Sequence, residues 1–321
     1  MVINSPKYIL VTNQKDITSD FLVRELQKRE IPFFRFNTET LPDFEAWSSG
    51  EGFFLRSENI TINTSLIKAA YFRRPGLIQF EGSDQADSDA YRATEWTYLL
   101  RSLYLELGRK WLSHPNNILL AENKPGQLKQ ARELGFMVPE YVVSNSLNAV
   151  KELFSNHPVV AKPLSHNLLN EGDSERVIFT VDVPTIEEIK HGQLAMSPVI
   201  FQQKIEKKFD LRITVVGELA IATQINSQID MNTKTDWRAG GDKILEHKLV
   251  ALPPDIENKC IELVKKMNLR YGAIDLVEDL NGHFWFLECN PNGQWAWIEN
   301  MTGAPISKLI VDELISHGEG A

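Results

Sequence analysis

The spacing of apolar and polar residues divides the chain into segments with two different periods. Apolar runs at 8–12 and 31–36, separated by an amphipathic segment at 18–28, predict two strands joined by a helix. This order is typical of a parallel α/β unit, and a further strand is predicted at 69–72. The helical pattern at 83–111 predicts a packing helix, which is also a candidate surface for a homodimer.

Beyond residue 115, strands and helices mix and predict an α+β arrangement. The strand predicted at 209–216 alternates cleanly and puts Asp210 and Arg212 on one face. Such a pair forms either a self-satisfied surface pair or the wall of a site. The other elements expected here are helices at 124–134 and 255–267 and polar loops at 164–176 and 226–242.

A β-hairpin at residues 270–290 is the clearest local signal in the sequence. Asn281-Gly282 is typical of a two-residue type I′ turn. Such a turn pairs Leu280 with His283 and fixes every later pair of the hairpin. The apolar residues that this register turns away from the polar face are Ile274, Leu276, Trp285 and Leu287.

The same register brings two carboxylates together. Asp275 is expected directly opposite Glu288, with Asn290 on the same face. Facing carboxylates in apolar surroundings repel each other and lose hydration unless a cation lies between them. Carboxylate and amide oxygens suit Mg²⁺, so the sequence predicts a metal site. The alternative is an ordinary hairpin whose acidic side chains point to solvent.

A lysine ends the apolar strand predicted at 158–163. Lys162 buries a charge there, and a buried charge is costly without an opposite partner. A nucleotide phosphate supplies such a partner, so Lys162 is a candidate for phosphate binding. The alternative is a surface lysine whose amino group reaches solvent past an apolar stem.

Three arginines are candidates for contact with a substrate. The strand at 69–72 runs into Arg73-Arg74-Pro75, and a strand end at Pro75 lets one of the two arginines reach an anionic group. The alternative is a solvated basic pair. Arg238 follows Trp237 in a polar loop, where an exposed Trp-Arg pair suits substrate contact; an ordinary flexible loop is the alternative.

Composition narrows the class of protein. The net charge of −9 and the lack of a dominant basic run argue against non-specific nucleic-acid binding. No apolar run approaches membrane-spanning length, and the N-terminus lacks a signal-peptide apolar region. Two cysteines, Cys260 and Cys289, give neither a disulfide framework nor a zinc set. We expect a cytoplasmic protein of two or three domains with neither nucleic acid nor membrane as a partner.

The order of the polar positions resembles the ATP-grasp superfamily of carboxylate–amine ligases over about residues 118–310. The positions that carry this resemblance are Lys124, Lys162, Gln203-Lys204-Ile205, Asp210-x-Arg212, Asp275 and Glu288-x-Asn290. The glycine-poor segment after Lys162 departs from many members of the superfamily. Further motifs narrow the resemblance to the peptide maturases that make microviridin-type peptides, or graspetides. These motifs are Arg73-Arg74-Pro75, Asp236-Trp237-Arg238 and residues 290–295.

The resemblance implies an ATP-grasp fold that follows a Rossmann-like pre-ATP-grasp domain. The implied domains are an N-terminal one at 1–115, a central subdomain at 116–195, and a C-terminal subdomain at 196–321 with the metal site. Members of this family install ester or amide crosslinks between side chains of a ribosomally made precursor peptide, after recognising its leader segment. We therefore expect ATP and one or two Mg²⁺ ions as cofactors and such a precursor as the partner.

The resemblance also implies a role for each candidate residue. Lys124 and Lys162 are expected to hold the ATP phosphates. The expected adenine and ribose contacts are Gln203, Lys204, Ile205 and Asp210. The expected Mg²⁺ ligands are Asp275, Glu288 and Asn290. The expected contacts to the acceptor carboxylate and its developing charge are Arg212, Arg238 and one of Arg73 and Arg74.

Two other functions remain open on the sequence. One is an ATP-grasp ligase that adds an amino acid to a peptide or small molecule, as the ribosomal-protein glutamate ligase does. The other is an ATP-binding regulator without chemistry, which the intact set of metal ligands disfavours. The tryptophans Trp237, Trp295 and Trp297 favour a peptide as the substrate.

Overall fold

The computed structural model describes residues 6–58, 60–80, 86–165, 168–171, 174–240 and 245–320. The strands are β1 (Tyr8–Thr12), β2 (Phe33–Asn37), β3 (Glu45–Ser49), β4 (Gly52–Arg56), β5 (Thr61–Asn63), β6 (Ala69–Phe72), β7 (Tyr141–Ser144), β8 (Val159–Lys162), β9 (Leu168–Glu171), β10 (Ser174–Val177), β11 (Val181–Val183), β12 (Val199–Gln203), β13 (Lys207–Val216), β14 (Leu219–Ile225), β15 (His247–Val250), β16 (Tyr271–Asp279) and β17 (Phe284–Asn290). The α-helices are α1 (Ile17–Lys28), α2 (Ala86–Leu107), α3 (Pro115–Ala121), α4 (Lys124–Glu133), α5 (Leu147–Asn156), α6 (His191–Met196), α7 (Pro254–Lys266), α8 (Ala296–Thr302) and α9 (Ile306–Gly320). No helix in these described ranges is long and apolar enough to cross a membrane.

The first of two compact units comprises residues 1–118, 268–271 and 292–321. Its central sheet has the order β2-β1-β6, and both pairings of β1 are parallel, as the apolar runs predicted. α1 packs against α9, which also contacts β6. α2 buries Leu100, Leu103 and Leu107 in the core of this unit. A second sheet of this unit has the order β3-β4-β5, with both pairings antiparallel.

The second unit comprises residues 119–267 and 272–291. It contains a four-stranded sheet, β11-β8-β12-β7, and a five-stranded sheet, β15-β14-β13-β16-β17. α5 packs on the first sheet, and α4 and α7 pack on the second. This grouping joins residues 292–321 to the N-terminal unit. The sequence analysis instead expected three domains, and the boundaries of those domains stay a prediction.

The hairpin β16–β17 places Asp275 opposite Glu288, as predicted. Its turn, however, is not the predicted one. The N–H of Asp279 donates to the carbonyl of His283 at 2.9 Å, so three residues form the loop and the pairing of Leu280 with His283 is wrong. Gly282 closes this loop with φ of +84°, a conformation that favours glycine.

A β-bulge restores the predicted register of the two carboxylates. Leu276 pairs with Phe286 while Asp275 pairs with Glu288, so Leu287 is the extra residue on β17. The three-residue loop and the bulge each shift the register by one residue in opposite directions, and the shifts cancel at Asp275. The bulge also turns Leu287 into the cleft that Val277 lines, so the prediction that Leu287 lies on the opposite face is wrong.

The segment predicted as a loop at 164–176 forms a second, smaller hairpin. β9 and β10 pair antiparallel, with Leu168 opposite Val177 and Glu171 opposite Ser174. Two strands of four residues are too short to give a clear period in the sequence. Residues 166–167 and 172–173 lie outside the described part of the chain.

Candidate active site

A cleft of about 70 Å³ in the second unit is lined by residues of both of its sheets. Its apolar walls include Val160 on β8, Val277 on β16 and Leu287 in the bulge of β17. The cationic residues that line it are Lys162, Lys204, Lys207 and Lys234. Apolar walls with cationic groups fit a molecule that combines a flat apolar ring with an anionic part.

The predicted hinge Gln203–Ile205 lies in this cleft. The N–H of Gln203 donates to the Glu140 carbonyl at 2.7 Å, and the N–H of Lys204 donates to the Pro158 carbonyl at 2.8 Å. These two N–H groups already donate within the unit. The groups of the hinge that remain to contact a base are therefore its backbone carbonyl oxygens and Ile205.

Lys162 ends β8 with its amino group inside the unit. Its Nζ donates to the carbonyl of Leu287 at 3.4 Å, which is a weak contact for a buried charge. Burial lowers the pKa of Lys162 to about 8, because Glu288 only partly offsets the loss of hydration and Lys124 and Arg238 act in the same direction as burial. Among the described residues, Glu288 is the anionic group that most favours the charged form of Lys162.

Three predicted metal ligands converge on the open end of the hairpin. The amide of Asn290 donates to Asp275 Oδ2 and to Glu288 Oε1, each at 3.2 Å. Arg212 Nη1 contacts both oxygens of Asp275 at 2.8 Å. The side chains of β13, β16 and β17 therefore meet at one place, because these strands are neighbours in the sheet.

Two more cations reach Glu288 from other elements. Lys124, at the start of α4, lies 3.3 Å from Glu288 Oε2 and donates to the carbonyl of Pro163 at 3.0 Å. Arg238 Nη1 lies 4.0 Å from Glu288 Oε1. Arg238 is also held by Asp236, with two contacts of 2.8 Å. Asn123 accepts from the N–H of Gly126, so an N-terminal cap fixes the helix that carries Lys124.

The two facing carboxylates differ in their electrostatic surroundings. Burial opposes ionisation of Glu288, but Lys124, Lys162 and Arg238 together lower its pKa below the usual value. Burial raises the pKa of Asp275, and Arg212 opposes that rise. Glu288 is therefore the firmly ionised member of the pair.

The charges at this place do not balance. The four cationic side chains of the site are Lys124, Lys162, Arg212 and Arg238. The three carboxylates around them are Asp236, Asp275 and Glu288. The excess positive charge, together with the weak partner of Lys162, makes the site suited to a bound anion such as a chain of phosphates.

The donor set also fits a hard divalent cation. Asp275 and Glu288 offer two carboxylates, and Asn290 adds an amide oxygen once its side-chain amide, whose nitrogen here donates to both carboxylates, is rotated by 180°. Within the described residues, no group of three or more His, Cys, Asp or Glu side chains could hold a metal ion. Two carboxylates suit Mg²⁺, because this ion usually keeps waters and takes phosphate oxygens as further ligands.

The structure places Asp210 behind the cleft rather than in its lining. Asp210 is buried, forms an ion pair of 2.8 Å with Lys207 and accepts from Ser227. Lys207 lines the cleft instead, and its Nζ donates to the Thr235 carbonyl at 3.2 Å. The sequence analysis missed Lys207; the three-residue spacing from Asp210 was its only signal.

Arg73 has a structural role in the first unit. It is fully buried, and its Nε lies 3.3 Å from the carboxylate of Asp16. Its Nη1 donates to the carbonyls of Asn292 at 3.1 Å and Gly293 at 3.0 Å. Arg74 is exposed with φ of 44°, so contact with a substrate stays a prediction for Arg74 and is not supported for Arg73.

Trp295 also belongs to the core rather than to a peptide-binding surface. Its side chain is fully buried in the first unit, where its ring lies edge-on to Phe21 at 5.9 Å. The expectation that Trp295 favours a peptide substrate is therefore wrong. Trp237, in the loop that carries Arg238, is partly exposed and keeps that expectation open.

Replacing Arg73 by Met should lower the free energy of unfolding by about 3–5 kcal/mol, because Asp16 would keep a buried charge without its partner. Urea unfolding followed by far-UV circular dichroism measures the change. The neighbouring Arg74→Ala is the matched control and should change the free energy by at most about 0.5 kcal/mol. Equal, small effects of both substitutions would contradict the structural role of Arg73.

Nucleotide affinity should decrease as the pH rises through about 8, since Lys162 has its pKa there and must be protonated to hold a phosphate. Below that pH the amine is charged and affinity should be constant; above it, the dissociation constant should rise up to roughly tenfold per pH unit. Titration calorimetry with ADP at fixed Mg²⁺ measures this dependence. Lys162→Arg stays charged and should give a flat profile; an unchanged profile in this variant would refute the assignment.

Comparisons with known proteins agree with this geometry. The chain is similar to a RiPP-associated ATP-grasp ligase of Chryseobacterium gregarium, solved with ADP and with a leader and core peptide. The identity is 30%, the TM-score is 0.84, and the match covers 97% of each chain. It is also similar to the macrocyclase MdnC of Microcystis aeruginosa MRC, bound with precursor peptide MdnA, at 28% identity and a TM-score of 0.82 over 96% of this chain and 99% of that one.

D-alanyl-alanine synthetase A of Vibrio cholerae shares the fold at 11% identity, with a TM-score of 0.61 over 99% of this chain and 100% of that one. No protein-family model and no curated protein matches the sequence. The expected ATP-grasp fold is confirmed. The chain belongs to the ATP-grasp ligases associated with ribosomally synthesised and post-translationally modified peptides, or RiPPs.

Proposed function

We propose that this ATP-grasp ligase forms intramolecular crosslinks in a ribosomally made precursor peptide, in the cytoplasm, by activating Asp or Glu side chains. The observation that carries the proposal is the excess of cationic groups around Glu288 and Asp275, at the cleft that Lys162 lines. Support comes from the similar proteins of C. gregarium and M. aeruginosa, which were solved with leader and core or precursor peptides.

ATP binds with its base between the apolar walls of the cleft and its phosphates at the cationic end. Val277, Leu287 and the hinge at Gln203–Ile205 all line this cleft and would contact the base. Lys162 and Lys124 hold the phosphates. The strong positive potential of the site favours this orientation, because reversing the molecule would place the phosphates beside the apolar walls.

Asp275, Glu288 and Asn290 hold one or two Mg²⁺ ions. Bound Mg²⁺ supplies Lewis-acid stabilisation of charge on the phosphate oxygens. Arg212 pairs with Asp275 and Lys124 pairs with Glu288. These ion pairs offset the free-energy cost of burying the two carboxylates when no metal ion is bound.

The reaction joins two side chains of the peptide in two steps. A carboxylate oxygen of the precursor attacks the γ-phosphorus of ATP, the bond from that phosphorus to the β-phosphate oxygen breaks, and ADP leaves. A hydroxyl of Ser or Thr, or an amine of Lys, then attacks the acyl carbon. The bond between the acyl carbon and the phosphate oxygen breaks, and phosphate leaves with the electron pair. The proton of the nucleophile passes to phosphate. The peptide loses one water for each crosslink.

Arg238 and Arg212 bring together the two anions that react in the first step. A carboxylate and a triphosphate repel each other, so cations between them lower the barrier. Arg238 is suited to the acceptor carboxylate because it lies at the edge of the site, 4.0 Å from Glu288, in a loop that Asp236 fixes. Asp236 in turn accepts from the N–H of Thr180 at 3.0 Å.

The test is incubation of the enzyme with ATP, Mg²⁺ and each short peptide encoded beside its gene that contains Ser or Thr together with Asp or Glu. Mass spectrometry should show the loss of one water for each crosslink, with one ADP formed for each. Glu288→Gln should lower ADP formation at least about 100-fold with the fold retained, because the metal site loses its firmly ionised ligand. Glu278→Gln, in the partly exposed ion pair with Lys208, is the control and should keep full activity.

Other outcomes would identify the competing functions. A gain in mass equal to an amino acid residue would show a ligase that extends a peptide, and would contradict crosslinking. Tight ATP binding without ADP formation, with any peptide encoded beside the gene, would favour a regulator. Hydroxylamine treatment of the product separates esters, which it cleaves, from amides, which it leaves.

A further inference from the structure

The side chain of Gln127 is buried between α4, to which it belongs, and β17. Its Nε2 donates to the carbonyl of Cys289 at 2.7 Å, and its Oε1 accepts from the N–H of the same residue at 2.9 Å. Nε2 also donates to the carbonyl of Ala121, the last residue of α3, at 2.5 Å. One side-chain amide therefore joins α3, α4 and the strand that carries Glu288 and Asn290.

Gln127 takes the place that a further strand would have beside β17. Among the described residues, β17 is the outermost strand of its sheet. The N–H and C=O of one residue in an antiparallel strand point to the same side, and Cys289 directs both toward Gln127. The residues before and after Cys289, Glu288 and Asn290, turn their side chains into the site. Fixing the backbone of Cys289 therefore fixes where both side chains leave the strand.

The same helix also carries the lysine that we expect at the phosphates. Gln127 follows Lys124 by three residues on α4, so the two side chains lie on one side of the helix. Lys124 reaches Glu288 at 3.3 Å, and Gln127 binds the next residue of the strand. These two contacts set the position of the end of β17 relative to Lys124.

Packing and hydrogen bonding restrain Cys289 in different directions. A Cβ atom on Gly272 of β16 would lie 3.1 Å from the Cys289 sulfur and 2.8 Å from a methyl carbon of Val264 on α7. Carbon atoms in contact are normally about 3.5–4.0 Å apart, so this face of the sheet is closely packed. Such packing resists motion perpendicular to the sheet. The bonds to Gln127 run along the sheet and resist sliding of the strand within it.

We propose that Gln127 is a positioning residue for the metal site, which holds the end of β17 so that Glu288 and Asn290 reach Mg²⁺ together. The proposal rests on the proposed binding of ATP and Mg²⁺ and adds a residue that touches neither. Mg²⁺ needs nearly octahedral geometry with ligand distances of about 2.0–2.1 Å, so a small shift of the strand weakens binding. Groups that orient metal ligands typically contribute about 10- to 100-fold to metal affinity.

Titration calorimetry with ADP at a series of free Mg²⁺ concentrations, including none, tests this role. In the unmodified protein, Mg²⁺ should lower the dissociation constant of ADP. Gln127→Met nearly keeps the side-chain volume but removes all three hydrogen bonds. It should raise the Mg²⁺ concentration that gives half of this tightening by about 10- to 100-fold. The ADP affinity without Mg²⁺ should stay nearly unchanged, because Lys162 on β8 does not depend on Gln127.

Gln130→Met is the matched control. Gln130 lies one turn further along α4, and its Oε1 has no hydrogen-bond partner in the described part of the chain. This substitution should leave the Mg²⁺ dependence unchanged. Gln127→Asn keeps the amide but shortens the side chain by one methylene group, so it should show the same loss as Gln127→Met. Circular dichroism shows which variants fold; a loss of stability alone would reduce the folded fraction but not change its Mg²⁺ dependence.

Two results would overturn the proposal and differ in what they leave standing. An unchanged Mg²⁺ dependence in the folded Gln127 variants would refute the positioning role and leave the proposed metal site intact. ADP binding to the unmodified protein that Mg²⁺ does not affect would refute both. Failure of both Gln127 variants to fold would make Gln127 a residue of general stability and would also overturn the proposal.

Discussion

Burying two facing carboxylates is the physical constraint on which the active site depends. Asp275 and Glu288 lie opposite each other on neighbouring strands, where neither hydration nor distance relieves their repulsion. The protein compensates with cations drawn from four different elements rather than from the hairpin itself. Because those cations exceed the carboxylates in number, the site has a net positive charge. That charge suits the site to binding phosphate. The same side chains that offset the cost of burying the two carboxylates are the ones that we propose to bind the phosphates.

The surroundings of this pair also assign different roles to the two carboxylates. Glu288 receives three cations and stays ionised, whereas burial raises the pKa of Asp275 although Arg212 and, more weakly, Arg238 oppose that rise. Around them, Asp210 holds Lys207, which lines the cleft, and Asp236 holds Arg238, which lies 4.0 Å from Glu288. Positioning carboxylates of this kind are as much a part of the site as the residues they orient.

The hairpin shows what the sequence could predict and why. Alternation and the Asn281-Gly282 signal identified the two strands and the opposed carboxylates, although the turn has three residues. The error did not propagate, because the bulge at Leu287 reversed it. A bulge has no clear sequence signal. Burial of one sheet face, however, permits few pairing registers, and the predicted pairing of Asp275 with Glu288 was correct. Asp275, Glu288 and Lys162 could be selected as candidates because charged residues on apolar strands are rare; their roles as metal ligands and phosphate contact stay predictions.

Residues that depend on long-range packing were not predictable. Arg73 lies at a strand end that is compatible with either a substrate or a buried ion pair, and only the position of Asp16, 57 residues earlier, decides. Trp295 lies in a polar segment but fills the core beside Phe21. Lys207 reaches the cleft because Asp210 and the carbonyl of Thr235 fix its amino group, and neither contact follows from the local pattern.

The central claim is that this site transfers a phosphoryl group to a carboxylate of the peptide. It is tested most directly by labelling the Asp and Glu side chains of the precursor with ¹⁸O and analysing the phosphate released during crosslinking. An acyl phosphate carries one carboxylate oxygen into that phosphate, so the account predicts one ¹⁸O atom in each phosphate formed. Phosphate without the label, at the same yield of crosslinked peptide, would contradict it.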